Sequence, residues 1–270
     1  MDKYAVIGNP IEHSKSPDIH AAFARQTGES ISYERLLGDK QNFAADVRTF
    51  LAEGGRGLNV TVPFKEEAWR MADELSDRAH TAGAVNTLIR LDSNLLRGDN
   101  TDGVGLVRDL SVNQGFRLAD KRILMLGAGG AVRGVMRPLL EEKPKRIIIA
   151  NRTASKAYSL ASGLAPYGQV AGCGLEEIAG MQFDLIINGT AAGLAGEVPR
   201  IPDDILAKGG WCYDMLYSNQ ATPFQLWGRA HHAARSLDGL GMLVEQAAES
   251  FRLWRDILPE TPPVIAQLRR

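Results

Sequence analysis

The residues most able to do chemistry fall into two groups along the chain. In the second half, Gly127, Ala128, Gly129, Gly130 and Ala131 directly follow the apolar run 122–126. A Gly-x-Gly turn at the end of a parallel strand lets backbone N–H groups approach a pyrophosphate at a helix N-terminus, because glycine puts no side chain in the way. The third glycine slot of that pattern holds Val132. Taken alone, the turn is equally a tight strand-to-helix connection. The end of the next strand adds to it: an NAD site places Asp or Glu there for the ribose 2′-hydroxyl. This chain has Asn151, Arg152 and Thr153, then Ser155 and Lys156. A carboxylate would repel a 2′-phosphate, whereas a guanidinium pairs with it, so the segment points to NADP.

In the first half, small polar groups recur where strands give way to loops: Ser14 and Ser16, Asn59 and Thr61, Asn86 and Thr87, Thr101 and Asp102. Hydroxyls and amides converging on one crevice suit a ligand with several hydroxyls. Ser14 and Ser16 precede a helix start, a place able to hold a carboxylate without an arginine. Hydride transfer to a carbonyl needs a proton donor for the oxygen. No zinc motif is present, so no metal is expected, and none of the six tyrosines has Lys four residues on. Lys65, in N-V-T-V-P-F-K, and Asp102, in G-D-N-T-D-G, offer an ammonium and a carboxylate to orient it. By spacing alone, Lys65 is equally a surface lysine at a helix start and Asp102 a simple N-cap.

The elements that must position these groups follow from hydrophobic periodicity. Residues 4–7, 31–37 and 58–62 read as strands, separated by helices carrying Ile19, Ala22 and Phe23, then Phe43, Val47, Phe50 and Leu51. Ser16-Pro17 is expected to supply an N-cap and first-turn proline, with Gly28 and then Gly54-Gly55 as helix stops. Segments 85–90 and 95–97 follow as a hairpin, then a turn into a short helix through Leu106, Val107 and Leu110. A second β-α-β series has strands near 122–126, 146–150, 183–187 and 211–215, with a helix to about Glu141. Met242, Ala247, Ala248, Phe251, Trp254 and Leu258 predict one long helix stopped by Pro259. The fold class is therefore α/β. The expected division is 1–103, 104–240 and a C-terminal helix, 241–270.

At 270 residues, with 31 Lys and Arg against 32 Asp and Glu, the chain is large enough for two cores and nearly neutral. No run of like charge favours nucleic acid or a membrane surface, and small neutral or anionic partners remain. No segment reaches the ~20 apolar residues of a spanning helix. The opening lacks an apolar signal region, and the two cysteines, Cys173 and Cys212, form no framework or metal motif. A cytoplasmic location with plain buried thiols is expected, and all five histidines are read as structural or solvated.

The segments IGNPIEHSKSP, NVTVPFK, AGAVNT, GDNTDG, GAGGAVRG, NRT, DLIINGT, CYDMLY and DGLGMLVEQAA resemble those of the shikimate dehydrogenase family, in order and across nearly the whole chain. The resemblance implies an N-terminal α/β substrate domain, a Rossmann-like parallel-sheet NADP domain, and a last helix returning to the first domain. It implies NADP-dependent reduction of 3-dehydroshikimate to shikimate, with Lys65 and Asp102 as the catalytic pair. Ser14, Ser16, Asn59, Thr61, Asn86, Asp102, Tyr217 and Gln246 would surround the substrate. Residues 127–131, Asn151, Arg152, Thr153, Lys156, Met215, Gly239 and Asp77 would contact NADP; Lys156 stands where many members carry Arg. A monomer or homodimer acting on a small molecule is implied. The alternatives are a quinate/shikimate dehydrogenase, against which Arg152 and the S-K-S segment speak, and a non-catalytic NADP-binding regulator, against which Lys65 and Asp102 speak. Methylene-tetrahydrofolate dehydrogenase leaves the S-K-S and N-x-T clusters unexplained.

Overall fold

A computed structural model describes residues 1–92 and 95–269. The chain forms two units, Met1–Gly105 with Leu243–Arg270, and Leu106–Met242.

The first unit begins β1 (Asp2–Gly8), α1 (Ser16–Thr27), β2 (Ile31–Leu37), α2 (Phe43–Ala52) and β3 (Gly55–Val60). Then come α3 (Lys65–Met71), β4 (Glu74–Leu75), α4 (Asp77–Ala82), β5 (Thr87–Arg90), β6 (Leu96–Asp99) and α5 (Asp102–Arg108). The sheet order is β2-β1-β3-β5-β6-β4. Strands β1, β2 and β3 are parallel, while β5 runs antiparallel to both β3 and β6. The register lines up Arg35, Val6, Asn59, Thr87 and Asp99 in one row. One face buries Ala5, Ile7, Phe43, Val47, Phe50 and Phe64.

Two expectations change here. Lys15 already has near-helical dihedrals and its carbonyl accepts Ile19 N–H, so Ser16 is the first helical residue and not the N-cap. The Ser14 hydroxyl accepts from Ser16 N–H instead, at 3.3 Å. The third strand ends at Val60, short of the expected 62, and Lys65 opens α3, the helix start that its spacing also allowed.

The second unit contains β7 (Arg122–Leu126), α6 (Gly130–Glu141), β8 (Arg146–Asn151), α7 (Ala154–Leu164) and β9 (Val170–Gly174). It continues with β10 (Phe183–Asn188), β11 (Leu206–Asp214), α8 (Pro223–Ala230) and β12 (Arg235–Leu237). All strands are parallel in the order β12-β11-β10-β7-β8-β9. This is a Rossmann-like, doubly wound sheet, whose strand order reverses between β7 and β10. Its two faces bury separate cores, one around Met125, Ile149 and Ile187, the other around Leu124, Ile148 and Ile186. Strands β9 and β12 escape a periodicity search because one is built largely of small residues and the other has three. Cys173 and Cys212 are free thiols, and burial pushes them up to about 11 and about 12.

The last segment forms α9 (Leu240–Arg255) and α10 (Pro262–Leu268). Val244, Ala247, Ala248 and Phe251 form an apolar stripe that packs with Ile19 and Phe23 of α1. Helix α9 stops before Leu258 because Asp256 turns into a left-handed conformation, φ 58°, and a second helix follows where one long helix was expected. Among the described residues, no helix is long and apolar enough to cross a membrane.

Val132 in the third glycine slot is accommodated by its neighbour. A Cβ at Gly189, which follows β10, would lie 2.5 Å from Val132 Cγ2. Gly189→Ala is expected to cost about 1–3 kcal/mol by overpacking, and less than that when Val132→Ala is already present. Denaturant unfolding of the two single variants and the double variant measures this coupling; additive losses would show that the two sites do not share the space.

Candidate active site

In the first unit the antiparallel turn of β5 determines which groups meet. Because β5 runs against β3, its beginning lies beside the end of β3, and Thr87 pairs with Asn59. Asn86 and Thr87 therefore sit at the start of an antiparallel strand, not at the carboxyl end of a parallel one, yet reach the same edge. Strand β6 returns its carboxyl end there through Thr87 and Asp99, and the chain runs on through Asn100 and Thr101 into Asp102.

Lys65 Nζ lies 2.5 Å from Asp102 Oδ2. Asn86 Nδ2 donates to the other carboxylate oxygen, Oδ1, at 2.8 Å. The side chains are 20% and 9% exposed, so the pair is largely withdrawn from water while Lys65 keeps access. An ammonium carries three N–H bonds, and the bond to Asp102 uses one. Asn86 is held by Thr101: its Oδ1 accepts Thr101 N–H at 2.9 Å and its Nδ2 donates to Thr101 Oγ1 at 2.9 Å. Gln246 on α9, which is half-buried, accepts at Oε1 from Asn86 Nδ2 and Thr101 Oγ1, each 3.3 Å. Lys65, Asn86, Asp102 and Gln246, four of the residues singled out from the sequence, thus form one connected group.

Ser14 and Ser16 stand together, Ser14 Oγ donating to Ser16 Oγ at 3.2 Å. An arginine does take part there: Arg35 of β2 donates to the Ser14 carbonyl from Nη2 at 2.6 Å and Nε at 3.0 Å. Its place on a strand with no pattern of its own left no signal in the sequence. Thr61 follows β3, and its methyl packs so closely on Gly8 that a Cβ there would lie 2.4 Å away. Asp77 is the exposed first residue of α4, in the unit that does not contain the glycine turn.

The second unit assembles the other group. Gly127 adopts φ 103°, which favours glycine, and donates its N–H to Ala150 O at 2.8 Å, joining the ends of β7 and β8. No atom lies within 4 Å of a Cβ built at Gly129, the N-cap of α6. Beside this turn, Arg152, Thr153 and Lys156 are exposed around the start of α7, and Asn151 Nδ2 donates to Thr153 O. Met215 and Gly239 come together after β11 and β12, since a Cβ at Gly239 would lie 2.3 Å from Met215 O. Tyr217 lies in the half-buried stretch following β11.

These features have close counterparts. Residues 6–88 match the shikimate dehydrogenase substrate binding domain, residues 110–195 the shikimate / quinate 5-dehydrogenase model, and residues 239–269 the shikimate 5′-dehydrogenase C-terminal domain. A shikimate dehydrogenase (NADP(+)) of Alkalilimnicola ehrlichii is 58% identical over 268 residues, covering 99% of this chain and 98% of the relative. The chain belongs to the shikimate dehydrogenase family. Another shikimate dehydrogenase (NADP(+)), from Nitrosococcus oceani, is 53% identical over all of this chain and 95% of its own. Among solved structures, shikimate 5-dehydrogenase from Thermus thermophilus, in complex with NADP(H) and shikimate, has a TM-score of 0.88 at 32% identity. The match covers 100% of this chain and 99% of that one. An Ael1 enzyme from Pseudomonas putida gives 0.93 at 41%, again over 100% and 99%.

Behind the polar group of this family member, His20 of α1 is fully buried, 4.2 Å from the Tyr33 ring and parallel to it. Tyr33 OH in turn donates to Asn59 Oδ1 at 2.7 Å. Burial pushes His20 down from 6.5 to about 3, and the nearby Asn59 amide offsets this only in part. Between those values the unfolded chain binds a proton that the folded chain does not, so stability rises with pH across the window and falls on acidification. Between about pH 7 and about pH 5 the loss attributable to His20 is about 2 kcal/mol. His20→Phe keeps the stack and should lose that slope, checked by denaturant unfolding at the two pH values; an unchanged slope would assign the acid sensitivity elsewhere.

Proposed function

We propose that this chain is an NADP-dependent shikimate dehydrogenase, reducing 3-dehydroshikimate reversibly to shikimate in aromatic amino-acid biosynthesis. The observation that carries the reading is the 2.5 Å contact of Lys65 with Asp102, steadied by Asn86 on the far carboxylate oxygen. Family membership supplies the substrate class. NADP fits the residues present: an open glycine turn at the start of α6, and cations with no carboxylate in the segment 151–156 after β8.

In this reading Gly127, Ala128, Gly129, Gly130 and Ala131 receive the pyrophosphate. Asn151, Arg152, Thr153 and Lys156 meet the 2′-phosphate side, while Met215, Gly239 and Asp77 complete the cofactor contacts. Bound NADPH supplies a hydride. Lys65, protonated, delivers a proton from Nζ to the carbonyl oxygen as negative charge grows there. In the oxidative direction the neutral amine takes the hydroxyl proton back. Asp102 aims the ammonium and, through its substrate-side lone pairs, accepts from a ligand hydroxyl. Ser14 and Ser16 hold the substrate carboxylate at the start of α1, aided by the Arg35 charge on the adjoining carbonyl. Asn59, Thr61, Asn86, Tyr217 and Gln246 line the hydroxyl-bearing side. The enzyme works on its small-molecule substrate as a monomer or homodimer in the cytoplasm, a location in keeping with two free buried thiols.

Lys65→Ala is expected to lose about 10²- to 10⁴-fold in kcat while NADP still binds. Asp102→Asn should lose activity as well, and the double variant less than the product of the two losses, because the groups act as a unit. Steady-state rates with shikimate and NADP over a range of pH decide this; near-parental kcat for Lys65→Ala at every pH would remove Lys65 from the mechanism. Arg152→Ala should weaken NADP binding by about 1.5–3 kcal/mol and NAD binding little. An unchanged preference between the two dinucleotides, measured by titration, would move the phosphate contact to another residue.

A further inference from the structure

The α9 face that packs on α1 is apolar at Val244, Ala247, Ala248 and Phe251. Ser250 interrupts that helix as a fully buried polar residue. A mid-helix serine contributes nothing to packing that alanine would not do better, so its polar contacts are the point of interest. Ser250 Oγ lies 2.8 Å from Thr87 Oγ1, 3.0 Å from Asn59 Nδ2, 3.2 Å from Thr101 Oγ1 and 3.0 Å from Gln246 O.

We propose that Ser250 is a positioning residue for the Lys65–Asp102 pair, acting through Thr87, Thr101 and Asn86. The proton count favours one relay. Thr87 has a single hydroxyl proton, and Asn86 Oδ1 can only accept it, so in the 2.8 Å contact with Thr87 the proton is that of Ser250. The serine oxygen is then an acceptor for Asn59 Nδ2. Asn86 Oδ1 receives Thr101 N–H, at 2.9 Å, and the Thr87 hydroxyl, also at 2.9 Å. Its NH₂ group is thereby turned toward Asp102 Oδ1. Were the amide reversed, a carbonyl oxygen would face a carboxylate oxygen at that separation. Ser250 thus sets, two bonds away, the donor that fixes the carboxylate whose other oxygen holds Lys65.

Asn59 belongs to the same support. Its Oδ1 accepts from Tyr33 OH, and its Nδ2 reaches Ser250 Oγ, Thr87 Oγ1 at 3.3 Å and Asn86 O at 3.3 Å. With both ends of its amide engaged by protein, Asn59 is held in one orientation by the same hydroxyls that hold Asn86.

The kinetic part of this proposal rests on the dehydrogenase reading, so the test has one arm that needs no substrate. In the ligand-free protein, Ser250→Ala should shift the side-chain amide NMR signals of both Asn86 and Asn59. In the assay it should lower kcat about tenfold and alter the kcat–pH profile, with the KM for NADP unchanged. Ser250→Thr, which keeps the hydroxyl, should restore kcat. Should Ser250→Ala fail to fold, Thr87→Val removes the next hydroxyl in the chain from β5 and is expected to move the Asn86 signal and kcat in the same direction. Amide signals at their parental positions overturn the positioning role whatever the activity, as do a parental kcat and pH profile in a variant whose only change is a lower Tm. Shifted amide signals in a chain whose parent form does not oxidise shikimate support the positioning of Asp102 and overturn the dehydrogenase reading alone.

Discussion

The Asp102 carboxylate, withdrawn from water between an ammonium and an amide, is the constraint around which the first unit is organised. A buried charge is tolerated only when its partners are held in place, and removing one partner of such a pair is far more costly than the pair is worth. Here the partners come from three separate stretches: Lys65 from the start of α3, Asn86 from the start of β5, and Asp102 from the turn after β6. The antiparallel course of β5 is what lets all three arrive at one edge. With β5 parallel to β3, Asn86 would start at the opposite end of the sheet.

The turn that delivers Asp102 is itself anchored by buried charge. Asp99, at the end of β6, accepts Arg78 Nε, Ser76 Oγ and Asn100 N–H at Oδ1, each at 2.6 Å. Arg78 also reaches Glu249 on α9, which Arg252 shares. Asn100 then accepts Asp102 N–H at its Oδ1, 3.1 Å away. The loop between β6 and α5 therefore has little freedom, and the direction of the carboxylate follows from ion pairs some distance behind it. Helix α9 contributes to both layers, with Glu249 on the Arg78 cluster and its neighbour Ser250 on the Asn86 cluster.

The second unit meets a different requirement, close approach of backbone. Gly127 takes a conformation that favours glycine, Gly239 sits against a carbonyl, and Gly189 leaves space for Val132. The last relation explains how a Rossmann-like turn keeps its shape without the third glycine. Helix and strand still pack closely there, and the missing side chain is on the strand's continuation and not on the helix.

Much of this was legible in the residues themselves. The glycine turn after an apolar strand, the cationic segment without an acid, and Lys65 and Asp102 among small polar groups are local features, and local spacing reports them. The parallel sheet of the second unit follows from alternating strand and helix periods. Spacing could not report what depends on partners far apart in the chain. Arg35, Ser250 and His20 carry no motif, because an arginine on a strand, a serine on a helix and a histidine on an apolar face become informative only once their neighbours are known. The direction of β5 and the break at Asp256 were likewise hidden. Residue types and their order establish which chemical groups are available and on which local elements they stand. Which of those groups share a hydrogen bond is settled by packing in three dimensions, since contacts such as Asn59 with Ser250, 191 residues apart, arise from sheet register and helix packing and leave no periodic trace.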